Sequence, residues 1–273
     1  MNREKRSLEF YLLAIFFILF VLFLYGPLSA ILILSFQGPD GGLTFPLNGV
    51  SLHWFANLFE KQAVGDFGAS FRRSFILGLM VMVVTVVVSL LAGLAFRRRF
   101  RGASLLFYAT VASLVVPSII ISLGIGVVFQ QGGLAPAWYS SAFGAHLTWT
   151  LPFGVLIMFA VFNRFSPAYE EAARDLGATS WQTFRYVVLP MIAPSLIGVG
   201  LFGFTLSYDE FARTLMTSGT YNTLPLEIYG MTTNVTTPVL YALGTVTTLF
   251  SFTIILVALA VMTMLGRRQA KKS

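Results

Sequence analysis

A chain of 273 residues that is 56% hydrophobic and only 11% charged has too much apolar surface for water, so its solvent is lipid. The net charge of +7 carries no nucleic-acid signal, because the basic residues sit between apolar runs in a pattern set by membrane topology. Without cysteine, disulfides and thiolate metal sites are excluded.

Taken in chain order, the first apolar run, 10–34, follows Arg3, Lys5 and Arg6. A signal-peptide core is only about 7 to 15 residues long. This run is longer, and despite the small Ser29 and Ala30 near its end it reads as a retained anchor. Runs 74–96 and 103–129 come next, separated by "RRRFR" at 97–101. That cluster reads as a topological anchor in preference to a lipid-phosphate site. Run 147–162 is slightly short of the roughly 17 to 25 residues a span needs and borrows its edges, giving 146–163. Runs 191–208 and 239–265 complete six. The expected fold is an all-α membrane protein, one transmembrane domain over residues 1–273.

Six spans place both termini, the second-to-third loop and the fourth-to-fifth loop on one side. That side holds fourteen of the 18 basic residues, and the other holds Lys61, Arg72, Arg73 and Arg213. The positive-inside rule makes the richer side, with both termini, cytoplasmic.

No catalytic apparatus is visible. His53 and His146, the only histidines, fall in different outer loops and read as polar loop residues. HExxH, GxSxG, CxxC and GxxxxGK[ST] are all missing, so no catalytic residue, metal site or cofactor site of the chain's own is expected. An ion-coupled carrier is the rival class, but the runs carry no ionisable group until Asp209 at the outer edge of the fifth. Pro117 and Pro152 are positioned to kink helices, a common feature of spans.

The loop at 164–190 contains "EEAARDLGATSWQTFRYVVLP". Ser166 and Pro167 suit the N-cap and first position of a helix. Glu170 and Glu171 suit its early turns, and Gly177 suits the left-handed stop. Thr179 and Gln182 have capping-box spacing for a second helix, and Pro190 marks where that helix yields to the fifth span. Ala172, Ala173 and Leu176 form a small-residue face on the first helix. Trp181, Phe184 and Val188 form a packing face on the second.

The pattern Glu171-Ala172-Ala173, three residues, Gly177, nine residues, then Val187-Val188-Leu189-Pro190 resembles the EAA loop of binding-protein-dependent ABC importer permeases. Val187 in place of isoleucine is the one departure. The resemblance implies a non-catalytic permease subunit of a bacterial cytoplasmic membrane importer that works by ATP-driven alternating access. Glu170, Glu171, Ala172, Ala173, Gly177, Leu189 and Pro190 would form the ATPase-coupling site. Partners implied are two ATPase subunits holding ATP and magnesium, a second permease chain (a heterodimer), and a periplasmic or extracellular substrate-binding protein. "VVPSIIISLGIG", "AHLTWTLPF" and "FTLSYDEFARTLMTSGTYNTLPLEIYGM" are similar to the spermidine/putrescine-type permeases. Related permeases carry opines, amino acid derivatives, ferric ion or phosphonates, which stand as the alternative substrates.

For a polyammonium substrate, Asp209 and Glu210 supply negative charge at the outer end of span five, with Tyr208 and Trp149 as aromatic neighbours. Arg213, four residues after Asp209 and three after Glu210, offers the competing reading of a local ion pair. Both readings stand on the sequence.

Overall fold

The computed structural model describes residues 7–58, 65–98, 100–234 and 237–270, with no side-chain description at 234 and 265–270. Arg3, Lys5, Arg6, Lys61, Arg99, Lys271 and Lys272, and the side chains of Arg267 and Arg268, therefore lie outside the described residues. The helices are α1 (Leu8–Leu34), α2 (His53–Asn57), α3 (Phe67–Phe96), α4 (Ala103–Ser113), α5 (Ser118–Gln131), α6 (Ser141–Arg164), α7 (Ala168–Asp175), α8 (Ser180–Thr183), α9 (Leu189–Tyr208), α10 (Leu224–Asn234) and α11 (Val239–Ala270). A π-helical turn, Phe184–Val188, joins α8 to α9. Among the described residues five helical stretches are long and apolar enough to cross a membrane, and α4 with α5 makes a sixth if the bent pair counts as one span.

That pair departs from the expected single run at 103–129. α4 and α5 meet at 104°. Pro117 has no N–H to give, and it disfavours the helical conformation at Val116, so α4 stops and α5 restarts at Ser118. The fourth span is not short either. α6 begins at Ser141, because Ser141, His146 and Thr150 find buried partners and extend the helix beyond its apolar stretch. α3 likewise starts before Ser74. Asp66 caps it by accepting from the Ala69 N–H at 2.9 Å, which takes Arg72 and Arg73 into its opening turns.

The chain forms two compact units, Met1–Gly65 with Gly230–Phe250, and Asp66–Tyr229 with Ser251–Ser273. In the first, the buried Gln37 organises the loop after α1. Its amide donates to the Gly42 carbonyl at 3.1 Å, and its Oε1 accepts from the Asn48 N–H at 2.7 Å. The Tyr241 hydroxyl donates to the Leu43 carbonyl at 2.6 Å, fastening the same loop to α11.

In the second unit, α3, α6 and α9 pack on one another. Met158 and Phe162 of α6 meet Ile192, Leu196 and Val199 of α9, and Leu77 and Val81 of α3 meet Ala142 of α6. Thr85 and Thr150 hydroxyls bond at 2.8 Å inside this layer, joining α3 to α6. Interhelical bonds of this kind contribute on average about 0.6 kcal/mol in lipid, so close packing dominates. Outward residues such as Val83 and Leu91 stay exposed, as lipid-facing side chains should.

Candidate functional site

Two clusters in the second unit carry the residues singled out by the sequence. The first is the segment from α7 to the start of α9. α7 begins at Ala168 with Pro167 at its boundary and no side-chain cap, so the hydroxyl expected of Ser166 does not start it. Its end follows from Gly177, which sits at φ +83°. There the Gly177 N–H donates to the Arg174 carbonyl at 2.8 Å and the Ala178 N–H to the Ala173 carbonyl at 3.0 Å, a Schellman stop. The capping box expected of Thr179 and Gln182 forms in both directions, at 3.3 and 2.8 Å.

The second helix does not break at Pro190. Proline removes the N–H that would bond four residues back, and its ring crowds that carbonyl. The backbone answers by widening into the π-turn, where the Leu189 N–H reaches the Phe184 carbonyl. Val188 is buried, and Phe184 and Leu189 pack on the α6–α9 core. Trp181, expected on that face, is instead 62% exposed, because α8 has a single turn before the widening rotates the register.

The adjacent glutamates have different fates. Glu170 turns inward, where its carboxylate lies 2.7 Å from Nη1 of Arg97 at the end of α3 and 3.9 Å from Arg174. The Arg97 guanidinium also stacks over Phe162 and Phe165, at 5.2 and 5.4 Å. Glu171 and Ala172 are exposed, Ala173 is half-buried, and Leu176 is 89% exposed. The Glu171 carboxylate has no hydrogen bond or ion pair among the described residues.

The second cluster surrounds residues 207–219. Arg213 is fully buried. Its Nη1 donates to the Ser118 hydroxyl of α5 at 2.7 Å, and its Nε to the Thr148 hydroxyl of α6 at 3.3 Å. The guanidinium lies 4.5 Å from the Trp149 ring centre and 3.6 Å from the Glu210 carboxylate, which also accepts the Arg213 backbone N–H at 2.9 Å. Burial presses this arginine below its ordinary value, and Glu210 opposes the shift. The segment is also pinned by its backbone. The Ser122 hydroxyl donates to the Arg213 carbonyl and accepts from the Met216 N–H, at 2.9 and 3.1 Å. α5 comes so close that a Cβ at Gly126 would stand 2.8 Å from the Met216 carbonyl oxygen.

His146, expected in an outer loop, is a buried core residue of α6. Its Nδ1 lies 2.8 Å from the Ser207 hydroxyl and its Nε2 3.1 Å from that of Thr214. Since the Thr214 hydroxyl donates to the Glu210 carbonyl, it accepts from the ring, which places a proton on Nε2 and turns Nδ1 to the Ser207 hydroxyl. His146 thereby clamps the chain on both sides of the acidic pair. No local sequence signal marked it, because both partners lie more than sixty residues away.

The structure separates the four residues expected along a substrate path. Glu210 pairs with Arg213, and the Trp149 ring is covered by the same guanidinium. Tyr208 is buried, stacked on Phe204 and edge-on to Phe71. Asp209 is exposed, and its carboxylate has no ion pair or hydrogen bond among the described residues. Neighbouring protein displaces part of its water and raises its pKa above the ordinary carboxylate value.

This arrangement has relatives. The chain is 27% identical over 251 residues to the spermidine/putrescine transport system permease protein PotC of Haemophilus influenzae, covering 92% of this chain and 96% of that protein. It is 27% identical over 231 residues to the putrescine transport system permease protein PotI of Escherichia coli K12, covering 82% and 80%. Its fold is similar to a chain of a bacterial ABC transporter involved in the import of the acidic polysaccharide alginate, with a TM-score of 0.64 at 18% identity, over 96% of this chain and 99% of that one. Residues 85–271, well over half of the chain, match the family described as "Binding-protein-dependent transport system inner membrane component", and the protein belongs to that family.

Proposed function

We propose that this chain is the permease subunit of an ABC importer for polyamines such as putrescine and spermidine, and that it forms a single transmembrane domain with both termini in the cytoplasm. The similarity to PotC and PotI supports the substrate class. One structural observation carries the mechanism: α7 presents Glu171, Ala172 and Leu176 outward while Glu170 ties the same helix to α3. A helix held rigidly by its inner side and bare on its outer side is suited to receive force from another protein.

In this reading two ATPase subunits engage the outer side of α7. Their ATP-driven closure moves α7, and the movement reaches the bundle by three routes. The chain itself leads from α6 into α7 and from α8 into α9, and the Arg97–Glu170 pair adds α3, which is not next to α7 in the chain. The bundle, completed by a second permease chain, opens outward to accept substrate from a binding protein, and hydrolysis resets it. The chain does no chemistry of its own.

At the far end of α9, Asp209 is the carboxylate available to an incoming ammonium. Glu210 is neutralised by Arg213, which also occupies the Trp149 face a cation would otherwise use. The test is ATPase stimulation of the co-purified complex in lipid, with its binding protein loaded in turn with putrescine, spermidine, neutral amino compounds and anions. Stimulation by the polyamines alone supports the reading. Stimulation only by a neutral or anionic ligand removes the cation role of Asp209 and leaves the importer mechanism intact.

A further inference from the structure

We propose that the cavity between the end of α3 and the coupling segment binds the phosphate of an anionic lipid headgroup. The proposal rests on reading α3 as a membrane span, and it holds whichever substrate is transported. The cavity measures about 740 Å³, and its polar lining includes Arg97, Arg98, Glu170, Arg174 and Ser180. Three guanidinium groups thus face one carboxylate. That carboxylate is already committed to Arg97 at 2.7 Å and lies 3.9 Å from Arg174. Arg98 is exposed and has no acidic partner among the described residues. Two positive charges therefore remain unneutralised in a concave site.

The position selects the ligand. α3 carries no charge from Ser74 to Phe96 and is followed by Arg97 and Arg98, so the cavity opens where hydrocarbon gives way to lipid phosphate. Its wall changes within one turn from Leu94 and Ala95 to Arg97 and Arg98. A guanidinium fork matches phosphate oxygens, and basic pockets at this depth draw anionic headgroups. Free inorganic phosphate shares that chemistry, but Leu94 and Phe100, which flank the arginines in the lining, suit a molecule that continues into an apolar tail. The reading of "RRRFR" as a topological anchor alone is thereby extended, since two of its arginines line a built site.

A bound lipid there would touch both α3 and the coupling segment, so headgroup charge would bear on how firmly α7 is held. Native mass spectrometry of the complete complex, with added phosphatidylglycerol or phosphatidylcholine, tests the site. The wild type should retain phosphatidylglycerol selectively. The double variant Arg98→Gln, Arg174→Gln should retain about twenty-fivefold less, at about fivefold per surface basic residue. Arg98→Lys with Arg174→Lys should restore most of the retention, since lysine keeps the charge and loses only the fork, which separates charge from misfolding. Equal retention by the wild type and the glutamine variant would overturn the proposal. So would displacement of the lipid by inorganic phosphate, which would assign the cavity to a free anion. Lipid bound to the permease chains but lost on adding the ATPase subunits would assign it to the ATPase and equally overturn the proposal. None of these outcomes bears on whether transport is ATP-driven.

Discussion

The coupling segment and the cluster around Arg213 are both polar islands in an apolar chain, yet they use charge in opposite ways. In the segment from α7 to α9 one glutamate is tied inward and its neighbour is exposed without a partner among the described residues, the form expected of the docking site proposed above. Around Arg213 most polar atoms are bonded within the chain, Nη2 of Arg213 being a buried exception, and the exposed acid without an ion pair among the described residues is Asp209. A site built for another protein is rigid underneath and open on top. A site built for architecture turns its charges on one another, and the acid it leaves exposed is the candidate for function.

The sharpest way to break this comparison is to remove the closing cation. Arg213→Met leaves Glu210 without its partner in a buried setting, and losing one member of such a pair costs about 3 to 5 kcal/mol. Thermal unfolding of the purified complex should fall accordingly, whereas Asp209→Asn should leave it within about 0.5 kcal/mol of the wild type. Asp209→Asn should instead raise the substrate concentration needed for half-maximal uptake. Equal destabilisation by the two variants would erase the distinction between the architectural and the free acid.

Gly177→Val tests the coupling segment. A β-branched residue at φ +83° costs about 1 to 2 kcal/mol and loosens the Schellman stop, so stimulated ATPase activity should drop while the membrane bundle stays folded. The Arg97–Glu170 pair, partly buried, should contribute about 1 kcal/mol. Arg97→Glu or Glu170→Arg alone should lower the ratio of transport to ATP hydrolysis, and the double exchange should recover part of it. No recovery would place the coupling in the covalent connections alone. The smallest effect belongs to Thr85→Val, which breaks a buried hydroxyl pair at a cost of about 0.6 kcal/mol in unfolding and leaves coupling unchanged.

How much of this was legible in the sequence depended on the range of the forces involved. Gly177, Thr179 and Gln182 act within one turn of the chain, and the stop and the capping box appear where local chemistry puts them. The EAA pattern identified the surface to watch, but it did not separate Glu170 from Glu171. That separation depends on Arg97, which is 73 positions away. Pro117 announced a disturbance without its size, since proline in a span is compatible with anything from a slight kink to the 104° bend found here. His146 was illegible as a core residue, because a polar side chain reads as a loop residue until its distant partners are known. Trp181 erred in the other direction, since a π-turn of five residues cannot be anticipated from helical spacing.

If the proposed function holds, α7 transmits ATP-driven force through its exposed face. The direct measurement is ATP-dependent substrate uptake into proteoliposomes containing the full complex, wild type against Glu171→Lys, with the permease chain alone under an ion gradient alongside. The wild-type complex should take up substrate robustly, Glu171→Lys should lose uptake with the bundle still folded, and the chain alone should show none. Undiminished uptake by Glu171→Lys, or gradient-driven uptake by the isolated chain, would contradict the proposed function.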